Sequence, residues 1–220
     1  MDVDILLASY NGEKYIREQI DSILNQTYPH FNLIIRDDGS SDRTLDIIKS
    51  YRDERIKIVP NSQNGGVVHN FSELLKASFA PYVFFSDQDD VWEKDKIEKM
   101  LNVALAFDDG RPLLVHHDMQ VVDKDLKPLS HSFWQFSKLK PQATSLNRLL
   151  MQNNVTGAAC MINHALIEMA LPIPCDAMMH DHWLALIASS FGEIIPVMEP
   201  LIKYRQHGSN QLGAKKQGVL

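Results

Sequence analysis

Three carboxylates fall within four positions in "SDQDD": Asp87, Asp89 and Asp90, directly after the apolar run "YVFF". Anions packed at the end of a buried strand repel one another, and taking any of them out of water is costly. Asp87 and Asp89 alternate along an extended turn, so they can face one side and share a cation. Hard carboxylate oxygens suit Mg2+ or Mn2+. The plain alternative is a solvated acidic loop in which Asp90 or Asp95 caps the next helix.

Three further segments carry chemistry-bearing residues. In "DDGSSD", Gly39 supplies a tight turn and Ser41 or Asp42 can cap a following helix. Such a turn needs one carboxylate at the strand end, and Asp37 and Asp38 provide two. A carboxylate there can accept the ring N–H of a pyrimidine base. In His180-Asp181-His182 the aspartate is either a helix N-cap or a general base whose environment the histidines shape. In "YRQHGSN", His207 is either a surface histidine or, with Arg205 two positions before it, part of a phosphate–metal site. His116 and His117 lack a partner at metal-ligand spacing and read as structural.

The surrounding elements must position these groups. "VDILLAS" and "FNLIIR" read as buried strands, "IKIV" and "YVFF" as two more. Helical periodicity runs between them: Ile16, Ile20, Ile23 and Leu24 in 13–26; Leu45, Ile48 and Tyr51; Val68, Phe71, Leu74 and Leu75 in 67–78. In 94–107, Ile97, Leu101, Ala104 and Leu105 point inward. Alternating strands and helices predict an α/β fold with a mostly parallel central sheet and helices on both faces. Ligands of such sheets bind beyond the carboxyl ends of the strands, where "SYNGE", "RDDGSSD" and "SDQDD" all stand. The second half predicts a strand in "LLVHHDMQVVD", an apolar strand ending "AACMI", a short helix over 163–170, a helix over "HDHWLALIASSFG" closed by Gly192 as a C′ glycine, and a last strand in "PLIKYR" with a polar loop after it. No Pro/Gly-rich linker divides the 220 residues, so one domain is expected.

Composition narrows the classes. Hydrophobic residues make up 45% and charged residues 23%, an ordinary globular mix. The net charge of −6 argues against a nucleic-acid surface. Cys160 and Cys175 lack a CxxC partner and read as reduced structural thiols of a cytoplasmic protein. "MDVDILLASYNG" has early aspartates and a short apolar run, so no secretory leader is expected, and no run approaches the ~20 apolar residues of a bilayer span. Phosphate-loop, dinucleotide, nucleophile-elbow and zinc-protease motifs are absent from the sequence.

"ASYNGEKYIREQIDSILNQTY", "IIRDDGSSDRT", "FFSDQDD", "HDHW" and "YRQHGSN", in this order, resemble the family 2 glycosyltransferases with a GT-A fold. "SDQDDVW…DK" and "HDHW…YRQHGSNQLG" are most similar to the bacterial rhamnosyltransferase-like branch. The resemblance runs from Asp4 to Lys215, and many members continue into a helical extension. It implies a single domain over 1–220, with a nucleotide-sugar-binding half (1–110) and an acceptor-binding half (111–220). It implies that Ala8, Tyr10 and Glu13 contact the nucleotide and that Asp38 reads a pyrimidine base. Asp87 and Asp89 match the DxD motif, Asp87 toward ribose and metal and Asp89 on the metal. Asp181 matches the catalytic base, although the family more often writes Glu-Asp where this chain has His180-Asp181. His207 matches a histidine approaching the diphosphate or metal, with Arg205 beside it.

The implied activity is inverting transfer of a sugar, with rhamnose favoured, from a dTDP- or UDP-sugar to a hydroxyl of a glycan or lipid-linked acceptor in bacterial surface polysaccharide synthesis. The implied cofactor is Mg2+ or Mn2+. The implied place is the cytoplasm, with at most peripheral contact with the inner face of the membrane. Two other classes fit an α/β protein with carboxylate-held metal. A sugar-phosphate nucleotidyltransferase would carry a glycine-rich basic loop, for which "SYNGEKY" is a poor substitute. A non-catalytic nucleotide-sugar-binding module would not need an intact base beside the DxD residues.

Overall fold

The computed structural model describes residues 3–61 and 64–208. The first half alternates as the periodicity requires: β1 (Val3–Ser9), α1 (Ile16–Leu24), β2 (Phe31–Asp37), α2 (Thr44–Ser50), β3 (Ile56–Ile58), α3 (Gly66–Lys76) and β4 (Tyr82–Ser86). β5 (Val91–Trp92), α4 (Lys96–Phe107), β6 (Leu113–Val122), β7 (Pro128–Ser130), α5 (Phe133–Phe136) and α6 (Leu146–Met151) follow. A 3-10 turn (Gly157–Ala159), β8 (Cys160–Asn163), α7 (His164–Ala170), α8 (His180–Phe191) and β9 (Glu193–Arg205) complete the described chain.

One sheet of nine strands runs in the order β3-β2-β1-β4-β8-β6-β9-β5, with β7 on β6. The first four strands in this order are mutually parallel, as is the β6–β9 pair. β8 is antiparallel to both its neighbours, β4 and β6. Antiparallel β8 enters between the halves, so the sheet is mixed, with one parallel group in the first half and the parallel β6–β9 pair in the second.

Successive side chains of a strand point to opposite faces, and the core divides accordingly. Ile5, Leu7 and Phe84 pack with Ile16, Ile20, Ile97 and Met100. Leu6, Val83 and Phe85 pack on the other face with Phe71, Leu74, Ile162 and Leu184. Each such side chain contributes about 1.5–3 kcal/mol by burial.

Four local expectations are corrected. Leu105 is exposed, and Met100 takes its place in the core. With about 3.6 residues per turn, 97, 100, 101 and 104 form one buried arc and 105 falls outside it. Gly192 has φ −155°, so it is not a left-handed cap. A Cβ there would lie 1.7 Å from the carbonyl oxygen of Pro112, the residue just before β6, so this close approach demands glycine. Asp181 is not the N-cap of α8: Met179 holds that position and Asp181 sits in the first turn. Cys175 is exposed, while Cys160 is buried.

Candidate active site

The carboxyl ends of β1, β2 and β4 meet on one side of the sheet, and the loops leaving them interlock. Asp37 and Asp38 divide the work at the end of β2. Asp37 builds the turn, accepting from the Ser40 backbone N–H at 2.8 Å and from the hydroxyls of Ser9 and Ser40. Asp38 faces the other way and accepts from the Gly65 and Gly66 N–H groups at 3.0 and 2.8 Å, with Arg36 3.5 Å away. This answers why two carboxylates stand together: one closes the turn, the other is left on the cavity wall. Gly66 has φ +79°, a conformation only glycine adopts without strain. Arg43, not Ser41 or Asp42, is the N-cap of α2; Asp42 stands one residue before it and accepts from the Thr44 N–H at 2.9 Å.

The acidic loop after β4 is fastened to the loop after β1 by Gln88. Its amide oxygen accepts from the Tyr10 N–H and its amide nitrogen donates to the Tyr10 carbonyl, both at 2.9 Å. A Cβ on Gly12 would lie 2.2 Å from that amide oxygen. The middle residue of "DQD" thus ties two loops together while its neighbours face the cavity. Burial drives the Asp87 carboxyl up to about 7, and the negative charges of Asp89 and Asp181 add to the effect. Burial first, then Asp89 and Asp87, push Asp90 well above the carboxylate range. Asp90 accepts from the Arg205 N–H at 2.9 Å, which fixes β9 to the loop. Asp95 precedes α4 without a side-chain cap bond and pairs with Lys99 instead.

Asp181 arrives from the far side of the chain. Its Oδ2 accepts from the Gly157 N–H at 2.8 Å and its Oδ1 from Asn153 Nδ2 at 3.2 Å. His180 is buried, stacked on Phe71 with ring centroids 4.1 Å apart and next to Phe85 at 5.5 Å. Burial lowers its basicity, so it stands as a neutral aromatic plate where the family more often has a glutamate. His182 donates from Nε2 to the Leu149 carbonyl at 2.9 Å. His116 and His117 are both buried, with His116 pushed down by burial to about 4. They are structural, as their spacing suggests.

These groups enclose a cavity of about 820 Å3. Ala8, Tyr10, Asp38, Asp87, Asp89 and Asp181 all line it. Three expected residues stand apart from the wall. Glu13 accepts from the Arg43 N–H at 3.0 Å and so pins the turn before α2. Arg205 is buried behind the acidic loop: it donates to the Asp89 carbonyl at 2.7 Å and the Lys124 carbonyl at 2.8 Å, pairs with Glu18, and stacks over Tyr15. His207 Nε2 lies 2.7 Å from Asp89 Oδ2 and its ring packs on Tyr15. From Ser209 onward the "YRQHGSNQLG" segment lies outside the described residues, as do Ser62 and Gln63 of "NSQNGG".

Asp87 and Asp89 line the cavity, and His207 reaches Asp89 from behind that wall through its 2.7 Å contact. Among the described residues no three Asp, Glu, His or Cys side chains are placed closely enough to hold a metal ion by themselves, so any ion here would draw further ligands from the donor diphosphate or water. Gln88, Asn153 and Gly157 were not legible as site residues. Gln88 could have been suspected from its place between two candidate ligands; Asn153 and Gly157 carry no sequence signal of their own.

A sequence model of the family described as "Glycosyl transferase family 2" matches residues 4–165. Among curated relatives, the Escherichia coli UDP-Glc:alpha-D-GlcNAc-diphosphoundecaprenol beta-1,3-glucosyltransferase WfgD is 35% identical over 103 residues, 47% of this chain and 41% of WfgD. The dTDP-rhamnosyl transferase RfbG of Shigella flexneri is 29% identical over 229 residues, 94% of this chain and 74% of RfbG. Among solved structures, TarS residues 1–349 of S. aureus in complex with UDP-GlcNAc superposes with a TM-score of 0.73 at 19% identity, covering 96% of this chain and 60% of that 1–349 chain. The mannosyltransferase PcManGT of Pyrobaculum calidifontis, in complex with GDP-Man and Mn2+, gives 0.69 at 16% identity, covering 96% and 58%. These two likenesses establish the GT-A fold. The chain therefore spans between two fifths and three quarters of the length of these proteins. No described helix is long and apolar enough to cross a membrane. With 162 of its 220 residues matched by the family model, the chain belongs to the family 2 glycosyltransferases.

Proposed function

We propose that this chain transfers a sugar from a nucleoside diphosphate to an acceptor hydroxyl with inversion at the anomeric carbon. The observation that carries the reading is the meeting of Asp87, Asp89 and Asp181 in one cavity. The carboxylate of Asp181, held by the Gly157 N–H and Asn153, takes the proton of the acceptor hydroxyl. The acceptor oxygen then forms a bond to the anomeric carbon. The bond from that carbon to the diphosphate oxygen breaks, and its electron pair leaves with the nucleoside diphosphate. One base and no enzyme nucleophile give inversion. A positioned base of this kind contributes about 10²- to 10⁴-fold.

Asp87, Asp89 and His207 would hold a divalent ion, Mg2+ or Mn2+, whose charge would stabilise the departing diphosphate. The elevated Asp87 carboxyl supports this, since a group raised by burial and then by its neighbours' negative charge is one that a cation would ionise. The Mn2+ in the PcManGT complex supports it independently.

On the donor side, residues 1–110 carry Ala8, Tyr10 and Asp38 to the cavity wall. A carboxylate oxygen retains a lone pair after one hydrogen bond, so Asp38 can still accept the ring N–H of thymine or uracil. The RfbG likeness favours dTDP-rhamnose over UDP-sugars. Residues 111–220 provide the acceptor side, with a glycan or lipid-linked saccharide in bacterial surface polysaccharide synthesis as the acceptor. Such a reaction would run in the cytoplasm, at the inner membrane face when the acceptor is lipid-linked.

The test is a panel of dTDP-, UDP- and GDP-sugars with Mn2+ and saccharide acceptors, read as nucleoside diphosphate release. Acceptor-dependent release from a pyrimidine donor is expected. Pyrophosphate release from a nucleoside triphosphate and a sugar phosphate would instead identify a nucleotidyltransferase. Donor binding without turnover on any acceptor would identify a binding module.

A further inference from the structure

Lys96 is fully buried at the start of α4. Its Nζ donates to the Ala158 carbonyl at 2.8 Å and lies 3.6 Å from the centre of the Trp92 ring. No carboxylate lies within ion-pair distance of it among the described residues. A buried ammonium without a paired anion is unfavourable, and a well-packed apolar side chain would serve folding better. Burial lowers the Lys96 pKa to about 7, while Asp90, Cys160 and Asp87 pull in the opposite direction.

The position of Lys96 relates it to both ends of the site. Trp92 is buried at the end of the acidic loop, and Ala158 belongs to the 3-10 turn whose first residue, Gly157, donates to Asp181. That turn is also packed against α8: a Cβ on Gly157 would lie 2.7 Å from His180 Nε2. The turn is therefore held by Lys96 and by the residue that precedes Asp181. Any shift of Ala158 moves the Gly157 N–H, and with it the direction in which the Asp181 carboxylate points.

We propose that Lys96 is a positioning residue of the transfer site: by holding the Ala158 carbonyl from beneath the acidic loop, it fixes the turn that aims Asp181 into the cavity. This rests on the reading of Asp181 as the base. The role makes no use of a proton on Lys96 in the chemical step. Its ammonium works through a carbonyl contact that an apolar side chain of equal length cannot make.

The test compares wild type with Lys96→Met and Lys96→Arg, the latter keeping a charged donor. Amide hydrogen exchange at Gly157, referenced to amides in the middle of α8, reads the position of the turn without any turnover. Lys96→Met is expected to raise Gly157 exchange about tenfold or more while the α8 amides hold, and to lower kcat about tenfold with the donor KM within about threefold. Lys96→Arg is expected to restore part of both. If Lys96→Met does not fold, the same two readouts on Lys96→Arg and wild type decide, with intermediate values in Lys96→Arg expected. Unchanged Gly157 exchange, or unchanged kcat in a variant with faster exchange, overturns the proposal. Absence of transfer in the wild type would instead count against the transferase reading, and Gly157 exchange would still decide whether Lys96 holds the turn.

Discussion

His207 Nε2 lies 2.7 Å from Asp89 Oδ2, joining positions 118 residues apart. Asp89 follows β4 and His207 follows β9, so the contact forms only when the two halves of the sheet have assembled. Arg205 reinforces it from behind through the Asp89 carbonyl. If this pair holds a divalent ion, Asp89→Ala should abolish the metal dependence of nucleoside diphosphate binding. His207→Ala should weaken it by about tenfold, the smaller loss expected when one ligand of a set is removed. Titration calorimetry of UDP or dTDP with and without Mn2+ checks both. Equal metal-dependent affinity in wild type and Asp89→Ala would remove Asp89 from the metal site.

In the metal-free protein Asp87 and Asp90 contribute stability that is lost as pH rises. Asp87 titrates near 7 when folded, because burial and neighbouring carboxylates raise it, and near about 4 when unfolded. Between these values the folded state binds more protons, so the stability contributed by this group falls with increasing pH across that window. Asp90 is shifted in the same direction. The buried His116, His117 and His180, lowered by burial, act in the opposite direction on the wild-type curve, so the check is a difference: without divalent ion, the melting temperature of Asp87→Asn relative to wild type should rise from about pH 5 to pH 7. Mn2+ should stabilise more at pH 7 than at pH 5, since it binds the ionised carboxylate. An equal Mn2+ shift at both values would contradict the assignment.

Gly12→Ala should act on donor binding through Gln88. The new Cβ would meet the Gln88 amide oxygen at 2.2 Å, and that oxygen accepts from the Tyr10 N–H. Gln88 would swing away and release both bonds that fasten the acidic loop to the Tyr10 loop. Donor affinity should drop by about tenfold, equivalent to about 1.4 kcal/mol, with a small change in melting temperature because the contact is exposed. Unchanged donor affinity in calorimetry would mean that the two loops are positioned by other contacts.

The parallel half of the fold was legible because its strands are short apolar runs and its helices keep a clear 3.6-residue period. Ile5, Leu7, Ile16 and Ile20 all fall in the core they predict. Antiparallel β8 was read as a strand, but its insertion between β4 and β6 depends on pairing across the two halves, which no local pattern encodes. The motif residues Asp38, Asp87, Asp89 and Asp181 were visible as unusual charges at strand and helix ends. Their supports were not. Gly157 and Ala158 act through backbone groups, and Lys96 stands in the "SDQDDVW…DK" motif with nothing in the sequence to show that it is buried. Arg205 and Glu13 were identified as notable residues, but their hydrogen bonds run to loop backbone outside the cavity wall.

The central claim is that Asp181 takes the acceptor proton in an inverting transfer, and Asp181→Asn tests it most directly. The asparagine oxygen can still accept from the Gly157 N–H, so the turn and α8 should keep their places. Asp181 is not the α8 N-cap, so no capping loss should appear in the melting temperature. The measurement is single-turnover transfer from the pyrimidine donor identified by the panel, with donor affinity and product anomeric configuration read on the same samples. The expected result is unchanged donor affinity, a rate lower by about 10² or more, and inverted product from the wild type. A mutant that transfers at the wild-type rate, or a wild-type product with retained configuration, would contradict the account.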